Sequence, residues 1–211
     1  MDKTKKSHLL NDIALKTFPG GINHNIRHYD PYPFQTKRAN KQYIWDVDDN
    51  KYTDYWMGHM ALILGHSPEN IIENVKQQID YGTLMGTTNV IALEFANKIQ
   101  EIFLCSEMVR LSSTGTEATM YATRLARAYT QKKKIVKIEG GWHGGNTALH
   151  KSISKPFDKK SSGILEEESK NTIIIPYNDI EKTDDIIEEN RKDIACVIVE
   201  PLLGHGCIPI K

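Results

Sequence analysis

A turn of small and hydroxyl-bearing residues between two regular elements most constrains the fold of this chain. Residues 112–118 read Ser-Ser-Thr-Gly-Thr-Glu-Ala and follow the short apolar stretch 108–111. Downstream apolar residues recur at helical spacing: Ala118, Ala122, Leu125, Ala126 and Tyr129. The pattern predicts a strand over 108–111, a turn, and an amphipathic helix that packs through this apolar stripe.

The turn itself has the composition of an anion-binding helix start. Thr114 and Glu117 have the spacing of a capping box, which marks a helix N-terminus. Backbone N–H groups are unpaired there and the helix end carries a partial positive charge. The amides of Gly115 and Thr116, with nearby hydroxyls, can therefore hold a phosphate dianion. A capped helix without a ligand is an equally good interpretation of this stretch alone.

Two later segments place polar or Gly-rich residues directly after apolar strands. Strand 135–138 precedes Glu-Gly-Gly-Trp-His-Gly-Gly-Asn at 139–146, where glycines allow a sharp turn and Trp142 offers an aromatic face. A Trp that fills the core is the alternative. Strand 194–199 is continuously apolar, as in strands buried on both faces, and ends at Glu200. Because ligands collect at the carboxyl ends of such strands, the three segments predict one shared cleft.

The remaining sequence predicts an irregular N-terminal region followed by alternating helices and strands. A short helix covers 9–14, and strands 42–47 and 51–55 form a hairpin through Asp48-Asp49-Asn50. A helix opens at Ser67-Pro68-Glu69, and another runs from 91 to 103. The first of these two helices is predicted to turn four apolar residues inward: Ile71, Ile72, Val75 and Ile79. The alternation indicates an α/β fold with a doubly wound, mostly parallel sheet.

Composition and motif content argue against several classes of function. Basic and acidic residues number 27 each, so no positive field favours nucleic acid or an anionic membrane. We see no apolar run of transmembrane length and no signal-type segment. Three cysteines suggest reduced thiols and a cytoplasmic location. The histidines lack metal-ligand spacing, so no metal is expected, and the Gly-x-Ser-x-Gly motif of serine hydrolases is absent.

Seven motifs, in one order along the chain, resemble those of the class III pyridoxal-phosphate-dependent aminotransferases. They cover residues 18–23, 46–50, 62–66, 114–120, 124–127, 176–179 and 199–201. Their shared order is far more specific than any single motif. Within the family they are most similar to the glutamate-1-semialdehyde 2,1-aminomutases, which form 5-aminolevulinate for tetrapyrrole biosynthesis.

The resemblance implies a fold, a cofactor and partners. The fold is the type I fold of pyridoxal-phosphate-dependent transferases. Residues 1–60 would be an N-terminal arm and β-hairpin segment of the small domain, and residues 61–211 the first part of the large cofactor-binding domain. The resemblance further implies pyridoxal 5'-phosphate as cofactor, a small amino or keto acid as substrate, and a homodimer.

The same resemblance assigns cofactor-binding residues. Thr114, Gly115 and Thr116 would bind the cofactor phosphate. Trp142 occupies the aromatic position that stacks on the pyridine ring, where the family usually has Tyr or Phe. His143 follows that aromatic residue as it does in the family.

Further positions concern the substrate and the edge of the cofactor site. Glu200 would lie beside the cofactor, and Arg27 would pair with a substrate carboxylate through its bidentate guanidinium group. His205 stands where the aminomutases often have Asn. His24 and His59 replace their usual Ser and Trp, so the substrate stays open.

The resemblance places two catalytic residues beyond Lys211, namely the Schiff-base lysine and the Asp that pairs with the pyridine nitrogen. Lys137, within a strand, is not expected to take the lysine's role. We expect the sequence to be part of a longer enzyme. Two alternatives stay open: a class III transaminase that acts on another amino acid or an ω-amine, and a non-catalytic truncated fragment.

Overall fold

The computed structural model describes residues 3–158, 161–204 and 208–210. It contains two compact units, Met1–Thr88 and Asn89–Lys211. The domain boundary that the resemblance implies near residue 60 stays a prediction. Predictions on His205, Cys207 and Lys211 fall outside the described residues.

The first unit combines an N-terminal helix with a small antiparallel sheet. Helix α1 (Lys5–Thr17) precedes strands β1 (Thr36–Asn40), β2 (Tyr43–Asp46) and β3 (Lys51–Thr53), which pair in the order β1-β2-β3. The predicted hairpin is confirmed as β2 and β3, while β1 was not predicted.

Carboxylates in the hairpin turn tie the helix to the sheet. Asp46 is fully buried and accepts hydrogen bonds from the backbone of Asp48 and Asn50 and from the Tyr52 hydroxyl. Asp48 accepts from the amides of Lys6 and Ser7, two of the unpaired donors at the start of α1. The turn therefore stabilises both the hairpin and the helix N-terminus.

A left-handed turn and a regular helix complete the first unit. In the turn α2 (Met57–Met60), φ is positive at all four residues, with values from 44° to 63°. Non-glycine residues rarely adopt this conformation, at a cost of roughly 1–2 kcal/mol each. Helix α3 (Glu69–Tyr81) confirms the predicted helix. Its predicted inward face is wrong, because Ile71, Ile72, Val75 and Ile79 are 39–56% exposed.

The second unit is an α/β unit built on a parallel sheet. Helices α4 (Val90–Ile102) and α5 (Gly115–Thr130) precede β4 (Lys134–Ile138), and the rest follows in the order α6 (Glu166–Ser169), β5 (Thr172–Ile175), α7 (Ile180–Asn190) and β6 (Ile194–Ile198). The sheet order is β5-β4-β6, with β4 in the centre and both pairings parallel. A short antiparallel pair follows, β7 (Leu202–Leu203) with β8 (Ile208–Pro209).

The core of this unit lies on the central strand. Val136, Ile138 and Ile175 are buried together, and partly buried residues such as Ile186 and Ile194 pack against them. The α/β class and the parallel sheet predicted from the sequence are confirmed. None of the helices in the described ranges has the length and apolarity needed to cross a membrane.

Three local predictions for this unit are wrong. Residues 108–111 pair with no strand of the described chain, so no strand forms there. Strand β6 lies at the edge of the described sheet, and Val197 is 48% exposed rather than buried on both faces. In α5 the predicted inward stripe faces outward, with Leu125 71% and Tyr129 88% exposed.

Threonines line the buried face of α5 instead. Thr123 is only 3% exposed and donates its hydroxyl hydrogen bond to the carbonyl of Thr119 at 2.9 Å. A threonine that bonds to the preceding helical turn can be buried without an unsatisfied polar group. The inward face of α5 is therefore more polar than the hydrophobic pattern suggests.

Candidate functional site

The start of α5 presents free hydrogen-bond donors. Thr114 is the N-cap and its hydroxyl oxygen accepts from the amide of Glu117 at 3.1 Å, as predicted. The Glu117 carboxylate accepts from Ser113 N at 2.8 Å rather than closing the box on Thr114. Within the described residues the amides of Gly115 and Thr116 donate to no acceptor, and a Cβ on Gly115 would meet nothing within 4 Å. This helix end is open to an anion.

Two hydrogen bonds join the helix start to the Gly-rich loop after β4. The Thr116 hydroxyl oxygen accepts from Gly145 N at 2.9 Å, and the Thr119 hydroxyl donates to the carbonyl of His143 at 2.8 Å. Because Thr116 serves as acceptor in this bond, its own O–H remains available to donate to a ligand. The first two predicted segments therefore form one surface.

Close approach at Gly144 makes this junction possible. Gly144 has φ +82°, and a Cβ there would overlap Thr116 Oγ1 and lie 2.7 Å from Thr116 Cα. The contact is with backbone as well as side chain, so a flexible group cannot simply move aside. Glycine is required here both for its conformation and for its size.

The third predicted segment joins the same surface through Trp142. The carboxylate of Glu200, just beyond β6, accepts from Trp142 N at 3.0 Å. The Trp142 side chain is 45% exposed, and the His150 ring meets it edge-on with 5.5 Å between ring centroids. An indole with this exposure can contact a flat ligand ring.

The His143 ring is enclosed rather than presented to solvent. Its side chain is only 7% exposed, and its Nε2 has no hydrogen-bond partner in the described part of the chain. Burial lowers the pKa of His143, and the charge of Lys137 lowers it further, while Glu200 acts in the opposite direction. Burial and Lys137 therefore both favour the neutral imidazole.

Lys137 is a chemically unusual residue to which the sequence analysis assigned no role, having considered it only as a Schiff-base lysine. It lies in the central strand β4 with a fully buried side chain, and its Nζ donates to the carbonyl of Lys151 at 2.6 Å. Burial lowers the pKa of Lys137 to about 8, against the opposing attraction of Glu200. The sequence feature that could have pointed to Lys137 is a lysine in the middle of an apolar strand.

Arg27, the predicted substrate-binding residue, belongs to the first unit. It ends a 3-10 turn (Asn25–Arg27), and its exposed guanidinium group donates to the Asn23 side chain at 2.9 Å. His24, just before this turn, meets the ring of His59 edge-on at 5.4 Å between centroids, and His59 also contacts Trp56. The two histidines noted in the sequence therefore belong to one aromatic cluster, in which His24 precedes Arg27 by three residues in the chain.

A cavity of about 460 Å³ lies next to the carboxyl end of β4. Its walls are Glu139, Gly140, Ile153, Ser154, Lys155, Phe157, Tyr177, Leu203 and Ile208. None of the predicted cofactor residues lines it. The cavity is therefore not the anion-binding surface at the start of α5.

The surface of the second unit combines two binding features. Free amides and hydroxyls at a helix N-terminus suit a phosphate group, and the half-exposed indole suits an aromatic ring. Hydrogen bonds that the loop amides of Gly145 and Trp142 donate to Thr116 and Glu200 fix the loop that carries the indole. Within the described residues no group of three or more potential metal ligands occurs. These residues fit a flat, phosphorylated ligand such as pyridoxal phosphate.

Comparison with known proteins gives a consistent result. A family model described as aminotransferase class-III matches residues 25–211. A protein of Methanosphaera stadtmanae named glutamate-1-semialdehyde 2,1-aminomutase is 43% identical over 99% of this chain and 50% of its own length. A protein of the same name from Nitrosopumilus maritimus is 46% identical over 94% of this chain and 47% of its own length.

The fold comparison agrees with the sequence comparison. A solved structure titled "Transaminase with PLP bound" superimposes with a TM-score of 0.94 at 30% identity, over 99% of this chain and 50% of that one. The chain thus spans about half the length of the relatives that it matches.

Proposed function

The chain belongs to the class III aminotransferase family, and from that membership we propose that it is part of a pyridoxal-phosphate-dependent enzyme of amino-group transfer. Two relatives that are 43% and 46% identical to it are named glutamate-1-semialdehyde 2,1-aminomutase. We propose the same reaction for the whole protein, the conversion of glutamate-1-semialdehyde to 5-aminolevulinate, with a role in tetrapyrrole biosynthesis.

The junction between α5 and the Gly-rich loop is the observation that carries this proposal. Thr116 lies at the open helix start and accepts the Gly145 amide, while Trp142 of the same loop is held by Glu200. A phosphate donor set and an aromatic face are thus fixed to each other by short hydrogen bonds. This supports binding of a ligand that carries both a phosphate and an aromatic ring.

Each residue has a binding role in this proposal. Gly115 and Thr116 donate amide hydrogen bonds to the phosphate, and Thr114 and Thr116 add their hydroxyls. Trp142 covers one face of the ring and excludes water from it. Arg27 pairs with the substrate carboxylate. The bound cofactor supplies the electron sink for amino transfer.

A class III transaminase is the second candidate function. It is favoured by the contact between His24 and His59, at positions where the sequence departs from the pattern expected of the aminomutases. A pair of imidazoles in place of the usual Ser and Trp suits a different amino acid or an ω-amine as substrate. We further propose a cytoplasmic homodimer, in line with the free thiols of Cys105 and Cys196.

The test uses the full-length protein purified with pyridoxal phosphate. Formation of 5-aminolevulinate from glutamate-1-semialdehyde, without any external amino acceptor, is expected for the aminomutase. Turnover that requires an added keto acid and amino donor would assign a transaminase instead. Failure to bind the cofactor, measured by absorbance and intact mass after borohydride reduction, would refute both.

A further inference from the structure

Lys137 is the largest fully buried side chain in the described part of the chain. Buried lysines are rare unless a carboxylate pairs with them, since an uncompensated charge in the core is costly. Its Nζ instead donates to a neutral acceptor, the Lys151 carbonyl, at 2.6 Å, and no carboxylate of the described residues forms an ion pair with it. The core thus contains an ammonium group whose charge is not compensated by a direct ion pair.

In the pairing of β4 with β6, Lys137 stands opposite Ile198, two residues before Glu200. Two titratable groups lie near enough to act on its ammonium, and both belong to the candidate cofactor site. They are Glu200 and His143. The Glu200 carboxylate holds the Trp142 amide at 3.0 Å, while His143 is buried with its Nε2 unpartnered among the described residues. Lys137 also donates a hydrogen bond to the carbonyl of Lys151, which carries no charge.

Both groups enclose the loop that presents the indole. A Cβ on Gly141 would lie 3.1 Å from His143 Nε2 and 3.8 Å from a Glu200 carboxylate oxygen. Gly141 directly precedes Trp142, so the position of the loop depends on how these two side chains are held. A positive charge nearby attracts the Glu200 carboxylate and disfavours a second positive charge on His143.

We propose that Lys137 is a positioning residue for the cofactor site: its ammonium group, held on the Lys151 carbonyl, keeps the Glu200 carboxylate on the Trp142 amide and the His143 ring enclosed beside Gly141. The inference rests on the proposed function, because Trp142 is taken as the residue that covers the cofactor ring. Lys137 touches neither cofactor nor substrate in this role. It acts only through Glu200 and His143.

The direction of the pKa shifts supports this arrangement. The pKa of His143 is lowered first by burial and then by Lys137. Removal of the ammonium therefore removes one of the two causes, and the pKa of His143 rises. A purely space-filling role for Lys137 predicts no such change, provided that the replacement fills the same volume.

The test compares Lys137→Met with Lys133→Met in the full-length enzyme loaded with pyridoxal phosphate. Methionine keeps an unbranched side chain of similar length and removes the charge. Lys133→Met is the control, because it removes one lysine charge just before the same strand, where the side chain is exposed. The readouts are visible circular dichroism of the bound cofactor, cofactor affinity, and the His143 titration followed by NMR.

We expect Lys137→Met to raise the pKa of His143, change the circular dichroism band and weaken cofactor binding about tenfold, within the range of couplings in one network. Lys133→Met should leave all three unchanged. In a Glu200→Gln background, Lys137→Met should add little further loss of affinity. An unchanged His143 titration and dichroism band in Lys137→Met would overturn the inference.

A second measurement applies if Lys137→Met does not fold. The His143 pKa of the wild-type enzyme should then lie below the ordinary histidine value, and a value at or above it would overturn the inference. If the wild-type enzyme binds no pyridoxal phosphate, the proposed function fails and the inference fails with it. If it binds normally and only the variant prediction fails, the proposed function stands.

Discussion

Replacement of Gly144 by alanine tests the junction on which the proposed site depends. The added Cβ would overlap Thr116 Oγ1 and lie 2.7 Å from Thr116 Cα, so the loop and α5 must separate. The positive φ of +82° adds strain for a residue with a side chain. Separation would also break the bond from Gly145 N to Thr116 Oγ1.

The size of the effect follows from these three contributions. A non-glycine residue in the left-handed region costs roughly 1–2 kcal/mol. Overpacking against fixed backbone costs about 1–3 kcal/mol, and a lost hydrogen bond about 1 kcal/mol. Since movement of the loop relieves part of the strain while breaking the bond, these contributions are not additive. We expect a loss of about 2–5 kcal/mol in the free energy of unfolding.

The assay is urea unfolding of the full-length protein, together with titration of pyridoxal phosphate into the apoprotein. Gly145→Ala is the matched control, because a Cβ at this neighbouring position would meet nothing within 4 Å and the backbone N–H is kept. Gly144→Ala should lose both stability and cofactor affinity, while Gly145→Ala should resemble the wild type. Equal behaviour of the two variants would refute the close approach at Gly144.

Three further predictions concern separate features. Thr116→Val leaves the Gly145 amide without its acceptor and removes a phosphate donor, so titration should show a cofactor affinity about tenfold weaker. Thr116→Ser keeps the hydroxyl and should keep the wild-type affinity. An equal loss of affinity in both variants would contradict the role of the hydroxyl. Asp46→Asn should lower the free energy of unfolding at pH 7 by about 2–3 kcal/mol, because three hydrogen bonds from half-buried donors end on its fully buried carboxylate. The folded-state pKa of Asp46 is below the ordinary 3.8, so its stabilisation is complete above pH 3.8 and is lost as the pH falls through the folded-state pKa. Urea unfolding at several pH values should therefore show the stabilities of the wild type and Asp46→Asn converge at low pH. Cys105 is exposed, whereas burial raises the pKa of the Cys196 thiol, so Cys105 should react faster with iodoacetamide. Peptide mapping that finds Cys196 modified first would contradict its burial.

Features set by short-range chemistry were predictable from the sequence. Thr114 caps α5 because its hydroxyl meets an amide three residues later, a contact that needs no tertiary structure. The β2–β3 hairpin follows in the same way from its turn residues, and the alternation of helices and strands gave the parallel α/β sheet. The clustering of the Gly-rich loop with Glu200 followed from the rule for strand ends.

Features decided by distant partners were not predictable. The stretch 108–111 has strand composition, but a strand exists only where another strand pairs with it. The buried face of α5 is lined by threonines because the Gly-rich loop, about 25 residues later, bonds to Thr116 and Thr119. The burial of Lys137 depends on the Lys151 carbonyl and on Glu200, neither of which its local sequence reveals.

The bond between Gly145 N and Thr116 Oγ1 has a thermodynamic consequence for ligand binding. It makes the anion-binding helix start and the loop that carries Trp142 parts of one body. A ligand group that orders either part therefore also orders the other, and a second ligand group meets a surface that is already ordered. Phosphate and ring should therefore bind cooperatively, and pyridoxal and inorganic phosphate offered as separate molecules should each raise the affinity for the other by the same factor.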